Sequence, residues 1–247
     1  MISATEPFNI PPVLLESLKR SHGIVLFCGN RNSGYEKTFK VISDKIKSLY
    51  PSSVGTIVLK DNANYKDPFW NSISYDDLIL RPLNEKSRNS DFFIFENIAK
   101  PIEFEAALEI AEDGRYVFMH CSCLSISSAL HRVFGFYQGT QKKHYLYRFL
   151  NEAFLFYSQV EILDESHLSN MAGEIILLTS ELKKNLLEKG IFSFEESLKL
   201  LNQESGVVTL NQSILQLIIR RKISIQKGFE TSRDPSELDF LLKKVGI

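Results

Sequence analysis

The feature that most constrains the fold is a continuous apolar run, Gly23–Cys28, which is followed at once by a loop rich in glycine and asparagine. A run without polar interruption is typical of a strand that is buried on both faces, as in a parallel sheet. The loop ends at Gly34, and after it Phe39, Ile42 and Ile46 recur at helical spacing. The sequence therefore predicts a strand, a tight loop and a helix, in that order.

The same alternation of strands and helices continues along the chain. Apolar runs predict further strands over Val54–Leu59, Phe92–Phe95 and Tyr116–Met119. Between the last two, Pro101–Glu112 has an apolar face at helical spacing, with proline at its start, where a helix tolerates it. Strands that alternate with helices indicate the α/β class with a parallel sheet.

The pattern changes past about residue 140. Tyr145–Tyr157 is rich in aromatic residues at helical spacing, and Ile175–Leu178 is one further candidate strand. We expect residues 1–140 to form the α/β core and residues 141–247 a mainly helical part packed on the same domain, because no linker rich in proline, glycine or serine separates them. Further helices are predicted over Glu181–Glu188, Phe194–Leu201, Thr209–Arg220 and Pro235–Lys244.

Charge and cysteine content exclude several functional classes. The formal net charge is -1, so the chain lacks the basic field that non-specific nucleic-acid binding needs.

The first residues do not resemble a signal peptide, and no apolar stretch approaches the ~18 residues that span a bilayer. We therefore expect a cytoplasmic protein without a transmembrane segment. Cys28, Cys121 and Cys123 are expected to be reduced thiols rather than a disulfide or a metal site.

The loop after the first predicted strand has the glycine spacing of a phosphate-binding loop. That motif reads G-x-x-x-x-G-K-[S/T]: backbone amides wrap the phosphates, the lysine reaches the β and γ oxygens, and the hydroxyl holds magnesium. Gly29 and Gly34 keep the spacing, but Tyr35 stands at the lysine position and Glu36 at the hydroxyl position. The loop therefore lacks the cation and places a carboxylate where the phosphates would lie.

Two other residues could replace the missing pair. Lys37 and Thr38 follow two positions later, but two helical residues rotate a side chain by about 200°, away from the phosphates. The candidate nucleotide-binding residues are Gly29, Ser33, Gly34, Lys37 and Thr38. The alternative is a strand-to-helix turn that binds nothing.

Other segments resemble one family, the PilT-like ATPases of type IV pilus retraction and secretion. Asp91–Lys100 is similar to the family's Walker B segment, which ends in Gly-Glu-x-Arg-Asp. Glu112–Arg115 resembles its Glu-Thr-Gly-His, and His120–Cys123 falls on its Thr-Leu-His-Thr. Gly206–Ser213 and Asp234–Leu238 resemble its closing helix and its Asp-Pro-x-x-Leu end. The resemblance implies a RecA-like P-loop core with a parallel central sheet and a C-terminal helical layer, without the family's N-terminal PAS-like domain.

The resemblance also implies that the catalytic groups are replaced. The family's catalytic glutamate falls on Asn97, although Glu96 is adjacent and would need a local rearrangement to take its place. The glutamate of the family's Thr-Ile-Glu-Asp strand end falls on Lys60, and its histidine on Ser122, two positions after His120. No catalytic residue is assigned. The degenerate positions are Tyr35, Glu36, Lys60, Asn97 and Ser122.

These substitutions lead to a functional expectation. We expect a PilT-like pseudo-ATPase, not an enzyme and without a cofactor, that serves a type IV pilus (twitching motility) or a related secretion machine as a structural or regulatory subunit. Its partners would be a pilus or secretion ATPase and other machine components, in homo- or hetero-oligomers at the inner face of the cell membrane. The alternatives are a divergent motor that binds ATP and magnesium through displaced residues, and a nucleotide sensor that does not hydrolyse.

Overall fold

A computed structural model describes residues 10–59, 69–80, 88–201 and 206–247. The strands are β1 (Gly23–Cys28), β2 (Gly55–Leu59), β3 (Trp70–Ser74), β4 (Phe92–Phe95), β5 (Tyr116–Cys121), β6 (Ala153–Leu163), β7 (Ser169–Leu177) and β8 (Val207–Val208). The helices are α1 (Pro12–Ser17), α2 (Tyr35–Leu49), α3 (Tyr75–Leu80), α4 (Pro101–Glu112), α5 (Ile126–Phe134), α6 (Gly139–Glu152), α7 (Ser180–Lys189), α8 (Phe194–Leu201), α9 (Leu210–Ile219), α10 (Ile225–Thr231) and α11 (Pro235–Lys244).

The described strands form one sheet in the order β3-β2-β4-β5-β1-β6-β7-β8. All pairs from β3 to β6 are parallel, whereas β7 and β8 are antiparallel to their neighbours. The predicted α/β class with a parallel central sheet is therefore confirmed, with an antiparallel edge added. β1 lies between β5 and β6, and every one of its residues is buried, as its apolar run predicts.

The side chains of successive residues of β1 pack alternately in two hydrophobic cores, one on each face of the sheet. Val25 and Phe27 pack in the cluster that contains Ile42 of α2. Leu26 and Cys28 pack in the cluster that contains Ile126 of α5. The helices that follow the adjacent strands β1 and β5 thus lie on opposite faces. This switch opens a crevice at the carboxyl edge of the sheet, where ligands of open α/β sheets ordinarily bind.

A third, smaller core joins the C-terminal helices to the antiparallel edge. Ile162 of β6 and Ala172 of β7 are buried against Ile214 of α9 and Leu238 of α11. The predicted C-terminal helical layer is present, and the helices expected over residues 181–188, 194–201, 209–220 and 235–244 correspond to α7, α8, α9 and α11.

One predicted helix is wrong over its second half. The aromatic run Tyr145–Tyr157 is helical only as far as Glu152, and Ala153–Leu163 forms β6. The first five residues of β6, Ala153–Tyr157, are apolar or aromatic and buried, so no polar residue marks a period of two along this part of the strand. The described residues of 141–247 therefore contribute three strands as well as helices. The division at residue 140 stays a prediction.

The short strand β3 is not predicted from the sequence, because its residues, WNSIS, do not form an apolar run. It is placed by Trp70, which is buried and lies opposite Gly55 of β2. A methyl group on Gly55 would lie 2.2 Å from the indole ring, so only glycine allows this approach.

No helix among the described residues is long and apolar enough to cross a membrane.

The contact between Gly55 and Trp70 yields the first prediction. Gly55→Ala forces the indole ring to move, and we expect the free energy of unfolding to fall by ~1–3 kcal/mol because the site is overpacked. Chemical denaturation measures the loss. The emission spectrum of Trp70, the single tryptophan of the chain, reports the movement of the ring.

Gly114→Ala is the matched control. Its methyl group meets no atom within 4 Å, although the residue has a φ of 82°. It should lose roughly 1–2 kcal/mol through backbone strain and leave the tryptophan emission unchanged. Equal emission spectra for Gly55→Ala and the unmodified protein would contradict the packing described here.

Candidate functional site

The loop after β1 is stabilised by hydrogen bonds of its own. The Asn30 side chain accepts from the backbone N–H of Asn32 at 3.0 Å, and its carbonyl accepts from the N–H of Ser33 at 3.0 Å. Gly34 then adopts a left-handed conformation (φ 70°) and α2 begins at Tyr35. Two backbone N–H groups of the loop therefore donate hydrogen bonds within the loop rather than to a ligand.

Ser33 fills the concave side of this loop. A methyl group on Gly29 would lie 2.3 Å from Ser33 Oγ, so glycine is required where the two residues meet. Ser33 is 1% exposed, and its hydroxyl has no hydrogen-bond partner among the described residues. Its carbonyl accepts from Gln159 Nε2 of β6 at 2.6 Å.

Tyr35 occupies the position at which a phosphate-binding loop has its lysine. Its ring stacks on the imidazole of His120 with a centroid distance of 4.5 Å and an interplanar angle of 22°. Its hydroxyl lies 3.4 Å from Glu96 Oε1, a long hydrogen bond. Partial burial, and then the nearby carboxylate of Glu96, raise the pKa of Tyr35. An uncharged phenol therefore stands where phosphate binding needs a cation.

Lys37 and Thr38 contact β6. Lys37 forms an ion pair with Glu161, which also accepts a hydrogen bond from Ser169. Burial alone would raise the pKa of Glu161, but the hydrogen bonds from Lys37 and Ser169 outweigh it, so the pKa is lowered. Thr38 is fully buried and donates to Gln159 Oε1 at 2.7 Å. Both candidate replacement groups thus already have protein partners.

Carboxylates flank the loop. Glu36 is exposed in the first turn of α2, where the helix dipole stabilises an acidic side chain. The Glu161 carboxylate oxygen lies 3.1 Å from the point that a Cβ of Gly34 would occupy. The charge of Glu36 would oppose the approach of a triphosphate, whereas the charge of Glu161 is paired with Lys37.

His120 connects the loops after β1 and β4. Its Nε2 lies 2.9 Å from the carbonyl oxygen of Gly29, and its Nδ1 lies 3.2 Å from the backbone N of Asn97. Because a carbonyl can only accept and an amide N–H can only donate, Nε2 carries the proton and Nδ1 accepts. His120 is 1% exposed, and this burial lowers its pKa to about 4 despite the bond to Gly29. The imidazole is therefore neutral near pH 7.

Asn97 and Ser122, two of the positions predicted to be degenerate, are bonded to each other. Asn97 has a left-handed backbone (φ 53°), a conformation that asparagine adopts more readily than glutamate does. Its Oδ1 accepts from the backbone N–H of Ser122 at 3.2 Å. Asn97 therefore joins the ends of β4 and β5, a structural role that requires no proton transfer.

Glu96, rather than Asn97, contacts the start of α2. The predicted need for a local rearrangement of Glu96 holds only if the strand continues through residue 97, because neighbouring side chains of a strand face opposite sides. β4 ends at Phe95, and beyond that point alternation no longer fixes the direction of a side chain. Lys60 lies outside the described residues.

Sequence reasoning missed Gln159 and Glu161, the partners of the loop on β6. Each lies more than 120 residues from the side chain it contacts, as the separations of 121 for Thr38–Gln159 and 124 for Lys37–Glu161 show. The only usable signal was their spacing by two, which would place them on one face of a strand. The sequence predicts a helix up to residue 157 and no strand over Gln159 and Glu161. Their spacing by two therefore could not be interpreted.

The residues present do not fit a magnesium nucleotide. Tyr35 replaces the cation, Glu36 replaces the hydroxyl, and Ser33 fills the inside of the loop. Across the described ranges, no group of three or more histidine, cysteine, aspartate or glutamate residues is placed to hold a metal ion.

Solved structures show what the fold is similar to. The pilus retraction motor PilT with bound ADP matches with a TM-score of 0.77 and 18% identity, over 97% of this chain and 71% of that one. The ATPase DotB of Legionella pneumophila matches with a TM-score of 0.71 and 16% identity, over 91% of this chain and 64% of that one. DotB of Yersinia pseudotuberculosis matches with a TM-score of 0.72 and 15% identity, over 91% and 61%.

These matches establish the fold as that of a RecA-type P-loop ATPase. The chain spans less than two thirds of the length of either DotB protein. No family model matches the sequence, and no curated protein is significantly similar to it.

The buried neutral His120 yields a prediction about pH. As the pH falls below the ordinary histidine pKa of 6.5, the unfolded chain binds a proton, whereas His120 in the folded protein stays neutral down to about pH 4. The stabilising effect of His120 is therefore fully present above pH 6.5 and is lost as the pH falls to 4. The shift corresponds to on the order of 3 kcal/mol.

His120→Gln keeps a side-chain N–H for the Gly29 carbonyl but does not titrate. Denaturant unfolding of both proteins at several pH values between 4 and 6.5 measures the difference. The variant should be less stable near pH 7 and show a smaller dependence on pH. Parallel curves for the two proteins would contradict the neutral, buried imidazole.

Proposed function

We propose that this chain is a catalytically degenerate relative of the pilus retraction and secretion ATPases and acts as a structural or regulatory subunit of such a machine. The observation that carries the proposal is Tyr35, which takes the lysine position at the start of α2 and is packed on His120. The side chain at this position is therefore an uncharged ring bound to protein groups, and it supplies no cation for a phosphate.

Phosphoryl transfer depends on positioning and on electrostatic stabilisation by a lysine, a metal ion and a group that orients the attacking nucleophile. In this chain tyrosine, glutamate and asparagine stand at the corresponding positions, Tyr35, Glu36 and Asn97. Removing a single preorganised donor from an active site typically costs about 10²-fold or more in rate. Several such losses in one site support a protein without hydrolytic activity.

The retained fold supports a role that depends on shape. The fold of this chain is similar to that of the retraction motor PilT over 97% of the chain, with a TM-score of 0.77. A partner that recognises such an ATPase could therefore also recognise this chain. We propose a pilus or secretion ATPase, or another component of its machine, as the partner, at the inner face of the cell membrane.

The alternative is a divergent motor that uses Lys37 and Thr38. One observation favours this alternative, namely that the side chain of Lys37 is about half exposed. An ion pair of this kind, such as Lys37–Glu161, typically contributes only ~0.2–1 kcal/mol to stability. Breaking it to free the lysine would cost little. The buried hydrogen bond between Thr38 and Gln159 is the stronger obstacle.

The third prediction concerns ATP turnover by the purified chain. Because the lysine, hydroxyl and glutamate positions are all replaced, phosphate release from Mg-ATP should stay at the level of a preparation without the protein. A coupled phosphate assay measures it, and calorimetric titration with Mg-ATP separates absence of binding from binding without hydrolysis.

Lys37→Ala is the diagnostic variant for the alternative motor. Under the proposal, the variant and the unmodified chain give the same background rate. Turnover that is present in the unmodified chain and lost in Lys37→Ala would overturn the proposal and identify a motor with a displaced lysine. Heat of binding without turnover would instead indicate a nucleotide sensor.

A further inference from the structure

A cavity of about 390 Å³ lies beside the loop after β1, on the side of the C-terminal helices. Its walls come from that loop, from the segment that enters α5, from β6 and α9, and from the turn between α10 and α11. The volume is within the range of about 300–1,000 Å³ that is usual for small-molecule sites. Because β1 and β5 end here, the cavity also lies at the carboxyl edge of the sheet, where open α/β sheets bind ligands. We call it the α5 cavity.

The lining of the α5 cavity combines aliphatic side chains with a single cation. Leu124, Val160 and Leu210 contribute aliphatic surface, and Leu124 is 64% exposed at the rim. Arg233 is the one charged side chain among the described residues that line the cavity, and these include neither aspartate nor glutamate. A ligand that matches this lining has an apolar body and one negative charge.

The guanidinium of Arg233 has hydrogen-bonding capacity that the protein leaves unused. Its Nη2 donates to the carbonyl oxygen of Leu124. The carboxylate of Glu174 lies 3.8 Å from Nη1, beyond the ~2.7–2.9 Å of a charge-assisted hydrogen bond. A guanidinium carries several further N–H donors, and those of Arg233 make no hydrogen bond within the described residues. They are therefore available to a ligand.

Glu174 compensates the charge of Arg233 only in part. Burial lowers the pKa of Arg233, and the nearby carboxylate of Glu174 does not fully reverse this effect. Glu174 is not part of the cavity lining, and it accepts a hydrogen bond from Ser158 of β6 at 3.3 Å. A partly buried cation without a close counter-charge is stabilised by an anion that reaches its free N–H groups.

We propose that the α5 cavity binds a small monocarboxylate with an apolar body. The carboxylate accepts hydrogen bonds from the free N–H groups of Arg233, whose planar fork matches two carboxylate oxygens, and the body packs on the aliphatic lining. A phosphate monoester carries about 1.5 to 2 negative charges at pH 7, more than the single cation of the cavity can pair. The site requires neither nucleotide nor magnesium, so it is independent of the function proposed above.

Calorimetric titration of the full chain with three probes of similar size tests the proposal. Phenylacetate has a carboxylate on an apolar ring and should bind to one saturable site with a Kd of about 1 mM or below. Phenylacetamide keeps the shape without the charge and should bind about tenfold more weakly or worse, because a neutral acceptor bonds a guanidinium less strongly. Phenyl phosphate should also bind more weakly than phenylacetate, and tighter binding of this probe would overturn the choice of a carboxylate.

Variants assign the binding to the α5 cavity. Arg233→Gln removes the charge and should raise the Kd for phenylacetate by about tenfold or more. Leu124→Asp adds a carboxylate at an exposed position of the rim, so it should weaken binding to a similar extent without affecting the core. Phe240→Asp is the matched control, because Phe240 is also 64% exposed but does not line the cavity, and its Kd should be unchanged. No saturable binding of phenylacetate, equal affinity for phenylacetamide, or equal effects of Leu124→Asp and Phe240→Asp would overturn the proposal.

Discussion

The neutral imidazole of His120 holds together two loops of the candidate site. Its Nε2 donates to the loop after β1 through Gly29, and its Nδ1 accepts from the loop after β4 through Asn97. Its ring lies among Phe27, Phe39 and Tyr35. This burial keeps the ring uncharged, and the ring in turn supports Tyr35 at the lysine position. A cationic side chain there would meet an aromatic surface and one carboxylate instead of phosphate oxygens.

The opposite side of the loop is fixed by β6. Gln159 bridges Ser33 and Thr38, and Glu161 binds Lys37. The loop is thus held from both neighbours of β1, by His120 on β5 and by two side chains on β6. In a working phosphate-binding loop these polar groups are free to turn towards the ligand. Here their hydrogen bonds are made within the protein, which is the physical basis of the proposed loss of nucleotide chemistry.

Most of the fold follows from local sequence pattern, and much of the site does not. The buried run of β1, the glycine at 34 and the helical spacing after it predict the strand, loop and helix at their observed positions. The start of β6 shows no period of two because Ala153–Tyr157 are all apolar or aromatic and buried, and β3 has no local signature because it is held by one tryptophan. The partners of Lys37 and Thr38 come from β6. Apart from their spacing by two, no local pattern identifies them.

We expect no nucleotide to bind at the loop after β1, because the Lys37 and Thr38 side chains and two amides of the loop are already bonded to protein groups. Thermal unfolding with and without Mg-ADP at ~1 mM, the upper end of ordinary enzyme KM values, tests it most directly. A ligand that binds only the folded state raises stability, and 1 kcal/mol corresponds to a rise of about 2–4 °C in Tm for a chain of this size. The account predicts an unchanged Tm. A rise of about 2 °C or more that Lys37→Ala abolishes would contradict it.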